Sequence, residues 1–346
     1  MATKIVDLVK AKEEAKEPFV AFEYFPPRTD KGLENLYRRV QLMKHQAPMY
    51  VDVTWGAGGS TSDLTLDMCV KMKTEYGLEP NMHLTCTNME AEKVDIALEG
   101  AKAANIANIV ALRGDPPKGQ EEWTATEGGF TCALDLIKYI REKHGDYFCL
   151  STAGYPEGHP NVIKEVADAS SLSESEKGRL VELDGKQFVC SDEDYGKEMA
   201  YLKAKVDAGA DMIITQMFFD VPVFLTFVQD CRDAGITVPI VPGLMVIQAY
   251  GGFNRMTAFC KSRVPAWVRD SLEAVKDDEA AVKAQGIAIG TKMCQDLLAA
   301  GVVPLHFYCL NQEKATFAIM ENLGMLKAAA EEEGATAAAA EATASA

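Results

Sequence analysis

Eight short runs of β-forming residues recur along the chain and alternate with stretches of helical periodicity. The runs occupy residues 19–25, 49–55, 81–87, 108–112, 147–153, 211–218, 238–242 and 302–308. The helical stretches between them occupy residues 32–44, 62–75, 91–104, 130–143, 195–208, 221–234 and 279–300. Alternation of eight strands with helices is typical of a parallel (β/α)8 barrel. We therefore predict a single-domain α/β fold of the TIM-barrel type.

A doubly wound α/β sheet is the alternative fold, and the strand count weighs against it. Such sheets commonly carry a G-x-G-x-x-G fingerprint after the first strand. The glycine-rich run WGAGGSTSDL at residues 55–64 misses that spacing because Thr61 occupies the last position. Glycines before a helix can still admit an anion, so the run remains a weak phosphate-site candidate.

Three segments stand apart from the barrel pattern of residues 17–325. Residues 1–16 have the pattern of an amphipathic helix. Residues 161–194 are polar and contain an Asp-Gly turn, which predicts an inserted loop and small hairpin after the fifth strand. Residues 326–346 are acidic, low in complexity and poor in large apolar side chains, so we expect this tail to be disordered.

The composition argues against some classes of binding partner and favours one cellular compartment. A net charge of -16 over 346 residues argues against binding to nucleic acid or to an anionic membrane surface. The long uncharged stretch near residues 235–253 is interrupted by Pro and Gly, so we predict no membrane span. The nine cysteines contain no C-x-x-C, which favours reduced thiols in a cytoplasmic protein. We expect small-molecule partners.

Polar side chains follow nearly every predicted strand. In a barrel of this type the active site lies at the carboxyl ends of the strands. The residues at these ends are Glu23, Thr54, Trp55, His83, Thr85, Arg113, Gly114, Asp115, Tyr155, His159, Gln216, Pro242, Gly243, Tyr308 and Asn311. We therefore expect them to meet at one mouth of the barrel.

Glu23 is the candidate general acid because it stands among aromatic residues in an apolar strand. Loss of solvation favours the protonated form of a carboxyl group, which an acid needs near neutral pH. The alternative is a structural carboxylate that Arg28 neutralises.

The run Arg113-Gly114-Asp115 places two charges at the end of the fourth strand. Gly114 allows a ligand to approach the backbone, and the proline after Asp115 restricts that residue to extended geometry. These features favour a polar ligand whose charge changes during a reaction, although a turn with a local ion pair is the alternative. In the run AGYPEGHP, Tyr155 can stack on a planar ring and His159 can reach a phosphate, or His159 can be an ordinary loop histidine.

The sequence contains no common motif for a metal site or for a serine hydrolase. The five histidines form no H-x-x-x-H or H-E-x-x-H, and G-x-S-x-G does not occur. We predict no metal site.

Eight ordered blocks carry a family resemblance: FEYFPPRT, DVTWGAGGST, HLTCT, ALRGDPP, AGYPEGHP, ADMIITQMFFD, PIVPGL and LHFYCLN. From about residue 17 to 325 the chain resembles the catalytic domain of the methylenetetrahydrofolate reductase family. The resemblance implies a (β/α)8 barrel that holds FAD in its loops. It also implies that NADPH or NADH passes hydride to FAD and leaves, after which 5,10-methylenetetrahydrofolate takes the hydride and becomes 5-methyltetrahydrofolate.

The resemblance assigns roles to individual residues. Glu23 and Asp115 would be catalytic, Glu23 as the acid that opens the folate ring and Asp115 as the group that stabilises the resulting cation. The implied FAD contacts are Thr54, Trp55, His83, Leu112, Arg113, Gly114, Asp115, Ala133, Tyr155, His159, Glu198 and Lys205. The implied folate contacts are Glu23, Asp115, Gln216 and Tyr308. Cys132, Glu198 and Gln312 depart from residues common in the family.

Other functions remain open at this point. A barrel that binds flavin or folate without turnover, and a lyase or aldolase that uses Glu23 as acid, are the alternatives. The family resemblance leads us to expect a homo-oligomer. Eukaryotic members carry a second, S-adenosylmethionine-sensing domain after the barrel, so we expect no feedback by that route from this chain alone. The sequence does not select between NADPH and NADH.

Overall fold

The structure, a computed structural model, describes residues 2–55, 62–115 and 124–327. The strands are β1 Phe19–Tyr24, β2 Val51–Val53, β3 Pro80–Thr85, β4 Asn108–Leu112, β5 Cys149–Gly154, β6 Ile163–Val166, β7 Val181–Leu183, β8 Lys186–Cys190, β9 Met212–Thr215, β10 Ile240–Val241, β11 Gly243–Met245 and β12 Pro304–Tyr308. The helices are α1 Ile5–Ala15, α2 Asp30–Met43, α3 Ser62–Thr74, α4 Ala91–Ala103, α5 Ala133–His144, α6 Glu174–Gly178, α7 Asp192–Asp207, α8 Val221–Asp233, α9 Tyr250–Cys260, α10 Ala266–Glu273, α11 Glu279–Ala299 and α12 Lys314–Asn322.

One parallel sheet forms the barrel. Its strand order is β10-β9-β5-β4-β3-β2-β1-β12-β11, and every ladder in it is parallel. The two ends of this order, β10 and β11, follow one another in the chain and are joined through Pro242. The sheet therefore runs round on itself, and the predicted (β/α)8 barrel is confirmed.

The seventh strand differs from its prediction at residues 238–242. It is split into β10, which pairs with β9, and β11, which pairs with β12. Proline has no N–H to donate to a ladder, so Pro242 ends one pairing where the next begins. Several other strands are shorter than predicted, and the predictions omitted α9, α10 and α12. The pair Gly251-Gly252 lies in the first turn of α9 and hides its helical character from a propensity argument.

Apolar side chains pack on both faces of the barrel wall. The outer layer packs strand residues such as Phe22, Leu84 and Phe307 against the helices. The inner layer includes Phe19, Tyr50, Val110, Met212 and Ile214. Its lower end is closed by α1, whose Ile5 and Val9 belong to the same cluster. Asn108, the first residue of β4, accepts a hydrogen bond from the Ile5 N–H at 2.8 Å, which fixes α1 beneath the barrel.

The insertion predicted after the fifth strand is confirmed as a small antiparallel sheet in the order β6-β8-β7. Asp184 and Gly185 connect β7 to β8 with positive φ angles of 50° and 74°. A capping box between Ser173 and Glu176 begins α6 in the same segment. The insertion therefore has local structure of its own and leaves the parallel ladder intact.

Some predictions fall outside the described residues, namely the glycine-rich run at 56–61 and the tail at 328–346. Within the described ranges, none of the helices is both long and apolar enough to cross a membrane.

Candidate functional site

A cavity of about 730 Å³ opens at the mouth of the barrel formed by the carboxyl ends of the strands. Pockets of this size typically hold small molecules or cofactors. All fifteen residues that the family resemblance assigns to the site line it: Glu23, Thr54, Trp55, His83, Leu112, Arg113, Gly114, Asp115, Ala133, Tyr155, His159, Glu198, Lys205, Gln216 and Tyr308. The structure thus brings together residues from most of the strands.

Glu23 lies near the end of β1 with its side chain 19% exposed. Its Oε2 lies 3.6 Å from His83 Nε2 and 3.5 Å from His306 Nε2. Among the described residues, these two imidazoles are the basic groups within 4.0 Å of the carboxylate. Arg28 is exposed and forms no ion pair with Glu23 in the described part of the chain, so the structure does not support the alternative in which it neutralises Glu23.

Asp52 and His306 lie deeper in the barrel beside Glu23 and His83, and sequence reasoning missed both. Asp52 is fully buried, and its Oδ2 lies 3.0 Å from His83 Nε2. His306 is also fully buried and stacks on Tyr50 with ring centroids 5.8 Å apart. One ionisable atom each of Glu23, Asp52 and His306 lies within 4.8 Å of the others.

A signal for these residues was present in the sequence. Alternate residues of a strand face the same side of the sheet. Asp52 precedes Thr54 by two residues, and His306 precedes Tyr308 by two. Both therefore share the inward face with a predicted site residue, one layer deeper in the barrel.

His83 keeps its proton to higher pH than an ordinary histidine. Burial by itself lowers the pKa of its imidazole, but the hydrogen bond to Asp52 and the nearby charge of Glu23 outweigh burial and raise that pKa. The imidazole is thus a proton-bearing group beside the candidate acid.

The Arg113-Gly114-Asp115 turn is held against β3 by close backbone packing. Gly114 has a φ of +87°, and a Cβ there would lie 2.5 Å from Thr87 Oγ1 and 2.9 Å from Thr85 Cβ. The Thr87 hydroxyl donates to the carbonyl oxygens of Arg113 at 3.2 Å and Asp115 at 3.0 Å. Only glycine fits this position, and the turn directs its flanking residues towards the cavity.

Three basic side chains, Arg113, His159 and Lys205, line the cavity beyond this turn. Burial and the charges of Arg113 and Lys205 lower the pKa of His159 to about 4. Burial lowers the pKa of Lys205 to about 8 although Glu198 opposes the change, and the ammonium donates to the Ala153 carbonyl at 2.8 Å. A cluster of basic residues at the cavity wall, with Lys205 buried and Arg113 and His159 partly exposed, marks a place for an anionic group in a chain of net charge -16.

Tyr155 contributes an aromatic surface next to this cluster. Its ring lies 4.8 Å from that of His159 in an edge-on arrangement. Burial raises the pKa of the Tyr155 phenol to about 12, so the group is neutral and can pack against a planar ligand.

Tyr308 and Gln216 also line the cavity. Tyr308 is the register partner of Glu23 on the neighbouring strand, and its hydroxyl donates to the Thr215 carbonyl at 2.6 Å. The side-chain oxygen of Gln216 accepts from the Met217 N–H at 2.9 Å, which fixes the amide at the rim. Of the three departures from the family pattern, Cys132 and Glu198 line the cavity, while Gln312 is exposed.

Comparison with known proteins adds to this geometry. The family model described as methylenetetrahydrofolate reductase matches residues 8–324. The chain belongs to the methylenetetrahydrofolate reductase family.

Members from plants, fungi and bacteria align along most of the chain. It is 48% identical to the probable methylenetetrahydrofolate reductase (NADH) of Oryza sativa over 94% of this chain and 51% of the relative. It is 41% identical to methylenetetrahydrofolate reductase 1 of Schizosaccharomyces pombe over 93% and 49%. The 5,10-methylenetetrahydrofolate reductase of Pectobacterium carotovorum is 32% identical over 88% of this chain and 90% of the relative. The chain thus spans about half the length of the plant and yeast relatives.

A solved structure supports the fold. An uncharacterized protein from Clostridium thermocellum, described as binding two copies of 5-methyl-5,6,7,8-tetrahydrofolic acid, superposes with a TM-score of 0.54 at 12% identity. The superposition covers 92% of this chain and 98% of that protein, so the likeness extends over the whole barrel.

The packing of Gly114 can be tested against a matched glycine. Gly77 has a φ of +67° and open space where an added Cβ would lie, so Gly77→Ala carries the backbone strain without a clash. We expect Gly77→Ala to lower the free energy of unfolding by about 1 kcal/mol and Gly114→Ala to lower it by roughly 3 kcal/mol. Urea denaturation measures both, and equal losses would show that the contacts with Thr85 and Thr87 do not matter.

Proposed function

We propose that this chain reduces 5,10-methylenetetrahydrofolate to 5-methyltetrahydrofolate with NADH or NADPH as donor and FAD as the intermediate carrier, and that residues 17–325 are the catalytic unit. The observation that carries the proposal is the arrangement of one cavity. A candidate acid on β1 and the basic cluster of Arg113, His159 and Lys205 line the same space, with Asp115 among the lining residues. Family membership supports the reaction, and relatives bear names with either donor, NADH in Oryza sativa and NADPH in Caenorhabditis elegans.

The cavity fits FAD by size and by charge. Its volume of about 730 Å³ lies within the usual range for cofactor sites. Arg113, His159 and Lys205 would hold the diphosphate. These basic side chains line the cavity although the chain as a whole has a net charge of -16. Trp55 Nε1 and Thr152 Oγ1 line the cavity and lack a hydrogen-bond partner among the described residues, so both are available to a ligand. Bound flavin would supply the ability to accept hydride from a nicotinamide and release it to the folate.

The remaining FAD contacts would orient the cofactor. Tyr155 would pack against it, and Gly114 would let it approach the backbone. Thr54, Trp55, His83, Leu112, Ala133, Glu198 and the carboxylate of Asp115 complete the set that lines the cavity.

Four residues would act on the folate. Glu23 would donate a proton to the ring nitrogen that leaves the methylene carbon, which opens the five-membered ring. Asp115 would stabilise the positive charge that develops at that carbon. Gln216 and Tyr308 would hold the substrate beside Glu23, consistent with the register pairing of Tyr308 and Glu23.

We propose a cytoplasmic location, since all nine cysteines are free thiols and eight of them are buried. Assembly as a homo-oligomer remains a proposal from the family resemblance.

The role of Glu23 can be tested by separating the two half-reactions under anaerobic conditions. Glu23→Gln should remain yellow and let nicotinamide bleach the flavin, but should slow reoxidation by methylenetetrahydrofolate by about 10²-fold or more. Stopped-flow absorbance of the flavin band follows both steps. Glu79→Gln is the control, because Glu79 is similarly buried, with 14% of its side chain exposed, and precedes β3 at the opposite end of the barrel.

Each outcome of that experiment separates one hypothesis from another. Loss of both half-reactions in Glu23→Gln, with Glu79→Gln intact, would refute the acid role. A wild-type protein that stays colourless after incubation with FAD would refute the flavin proposal. A band bleached by nicotinamide and not restored by methylenetetrahydrofolate would favour a flavoprotein that lacks this turnover.

The basic cluster predicts a pH dependence for flavin binding. The ammonium of Lys205 favours a bound diphosphate, and its pKa of about 8 means that the free protein loses this charge above pH 8. The dissociation constant for FAD should therefore rise above pH 8, by up to about tenfold per pH unit. Lys205→Met should bind FAD weakly at pH 7 and show a flatter profile.

Lys203→Met is the matched control, since Lys203 lies two residues earlier on α7 and pairs with Asp207. Fluorescence titration of FAD measures all three proteins. A wild-type affinity that stays constant from pH 7 to 10 would contradict the role of Lys205.

A further inference from the structure

We propose that Asp52 is a positioning residue that holds His83 as the proton donor to Glu23, so that a buried reservoir beneath the cavity restores the acid. The inference rests on the proposed function, because it concerns how Glu23 regains the proton that it gives to the folate. His306 is the second imidazole of this reservoir.

The geometry places His83 between two carboxylates. Asp52 is the register partner of Glu23 on the adjacent strand, so both side chains point into the barrel at the same level. His83, on the next strand, brings Nε2 to 3.0 Å from Asp52 Oδ2 and 3.6 Å from Glu23 Oε2. One imidazole N–H can therefore turn from one carboxylate to the other with a small movement.

The imidazoles of His83 and His306 are the groups that can balance the negative charge of Glu23 and Asp52. Glu23 faces the group from β1, Tyr50 and Asp52 from β2, and His306 and Tyr308 from β12. Within the described residues, no Lys or Arg lies within 4.0 Å of either carboxylate, and the basic groups at that distance are His83 and His306. A buried carboxylate is costly without a compensating charge, so the group favours at least one imidazolium.

Burial separates this reservoir from the solvent. Asp52 and His306 are fully buried, and Asp52 Oδ1 has no hydrogen-bond partner among the described residues. Glu23 and His83 line the open cavity, with 19% and 11% of their side chains exposed, and ligands in the cavity would cover both. While they are bound, His83 is a proton source 3.6 Å from Glu23, a small side-chain movement from hydrogen-bond distance. The raised pKa of His83 agrees with this role, because burial alone would lower it and the carboxylates reverse the effect.

The transfer conserves protons. Glu23 gives its carboxyl proton to the folate nitrogen and becomes a carboxylate. The Nε2–H bond of His83 then breaks as an O–H bond forms on Glu23, so the imidazolium becomes a neutral imidazole. The bare Nε2, 3.0 Å from Asp52 Oδ2, favours renewed protonation from solvent once the product has left. The net result is one proton passed from His83 through Glu23 to the substrate.

The kinetic test uses Asp52→Asn, which keeps the shape of the side chain and an acceptor oxygen but removes the charge. The high-pH limit of the folate half-reaction should move down by at least about one pH unit, since an adjacent opposite charge shifts a pKa by about one to three units. Flavin reduction by nicotinamide should keep its own pH profile. Glu79→Gln again controls for loss of a buried carboxylate elsewhere in the barrel.

The second readout is the protonation state of His83 itself. Nitrogen NMR of flavin-loaded protein with ¹⁵N-labelled histidine resolves five side chains, and His83→Gln identifies the signal of His83. A pH titration of this signal should give a pKa above that of an ordinary histidine in the wild type, because Asp52 and Glu23 favour the charged ring, and a lower pKa in Asp52→Asn. A wild-type pKa of His83 at or below that of an ordinary histidine would overturn the inference, even if Asp52→Asn failed to fold.

The two proposals fail in different ways. If the wild type does not reduce methylenetetrahydrofolate, the proposed function fails, and NMR still reports on His83. If the wild type turns over and Asp52→Asn keeps the same pH profile, the reservoir alone is refuted.

Discussion

Closure of the parallel sheet is the constraint on which the site depends. The carboxyl ends of the parallel strands form a closed rim because β10 and β11, the two edges of the sheet, are joined at Pro242. Tyr308 spans this junction and donates to the Thr215 carbonyl on β9. A Cβ on Gly243 would lie 2.3 Å from the Tyr308 hydroxyl oxygen, so the absence of a side chain there permits the bridge. The residue that closes the wall thus also lines the cavity.

The charges of the rim are divided between two parts of the cavity. Arg113, His159 and Lys205 form the basic part. Burial and the charges of Arg113 and Lys205 lower the pKa of His159, and burial lowers the pKa of Lys205. Glu23, Asp52 and His83 form the other part, with His306 buried beneath it, and here the carboxylates raise the pKa of His83. The first part suits the binding of an anion, and the second suits the transfer of a proton. Both requirements arise in a flavin-dependent reduction that protonates its substrate.

The sequence predicted the rim better than the layer beneath it. Strand ends such as Glu23 and Asp115 stand out because a charge interrupts or ends an apolar run. The alternation of strands with helices predicted a barrel, and the carboxyl ends of its strands meet at one mouth. Asp52 and His306 lie inside strands, where a polar residue is easily taken for a solvated face, and only the closed barrel shows that this face is internal. The split at Pro242 escaped for a similar reason, because two pairings of two and three residues read as one short strand.

A crystal structure of the protein with FAD bound tests the central claim most directly, because that claim concerns which groups share one cavity. The account predicts the diphosphate against Arg113, His159 and Lys205, with the isoalloxazine ring in the same cavity as Glu23 and Asp115. Flavin bound at another surface, or a ring separated from Glu23 by the barrel wall, would contradict it.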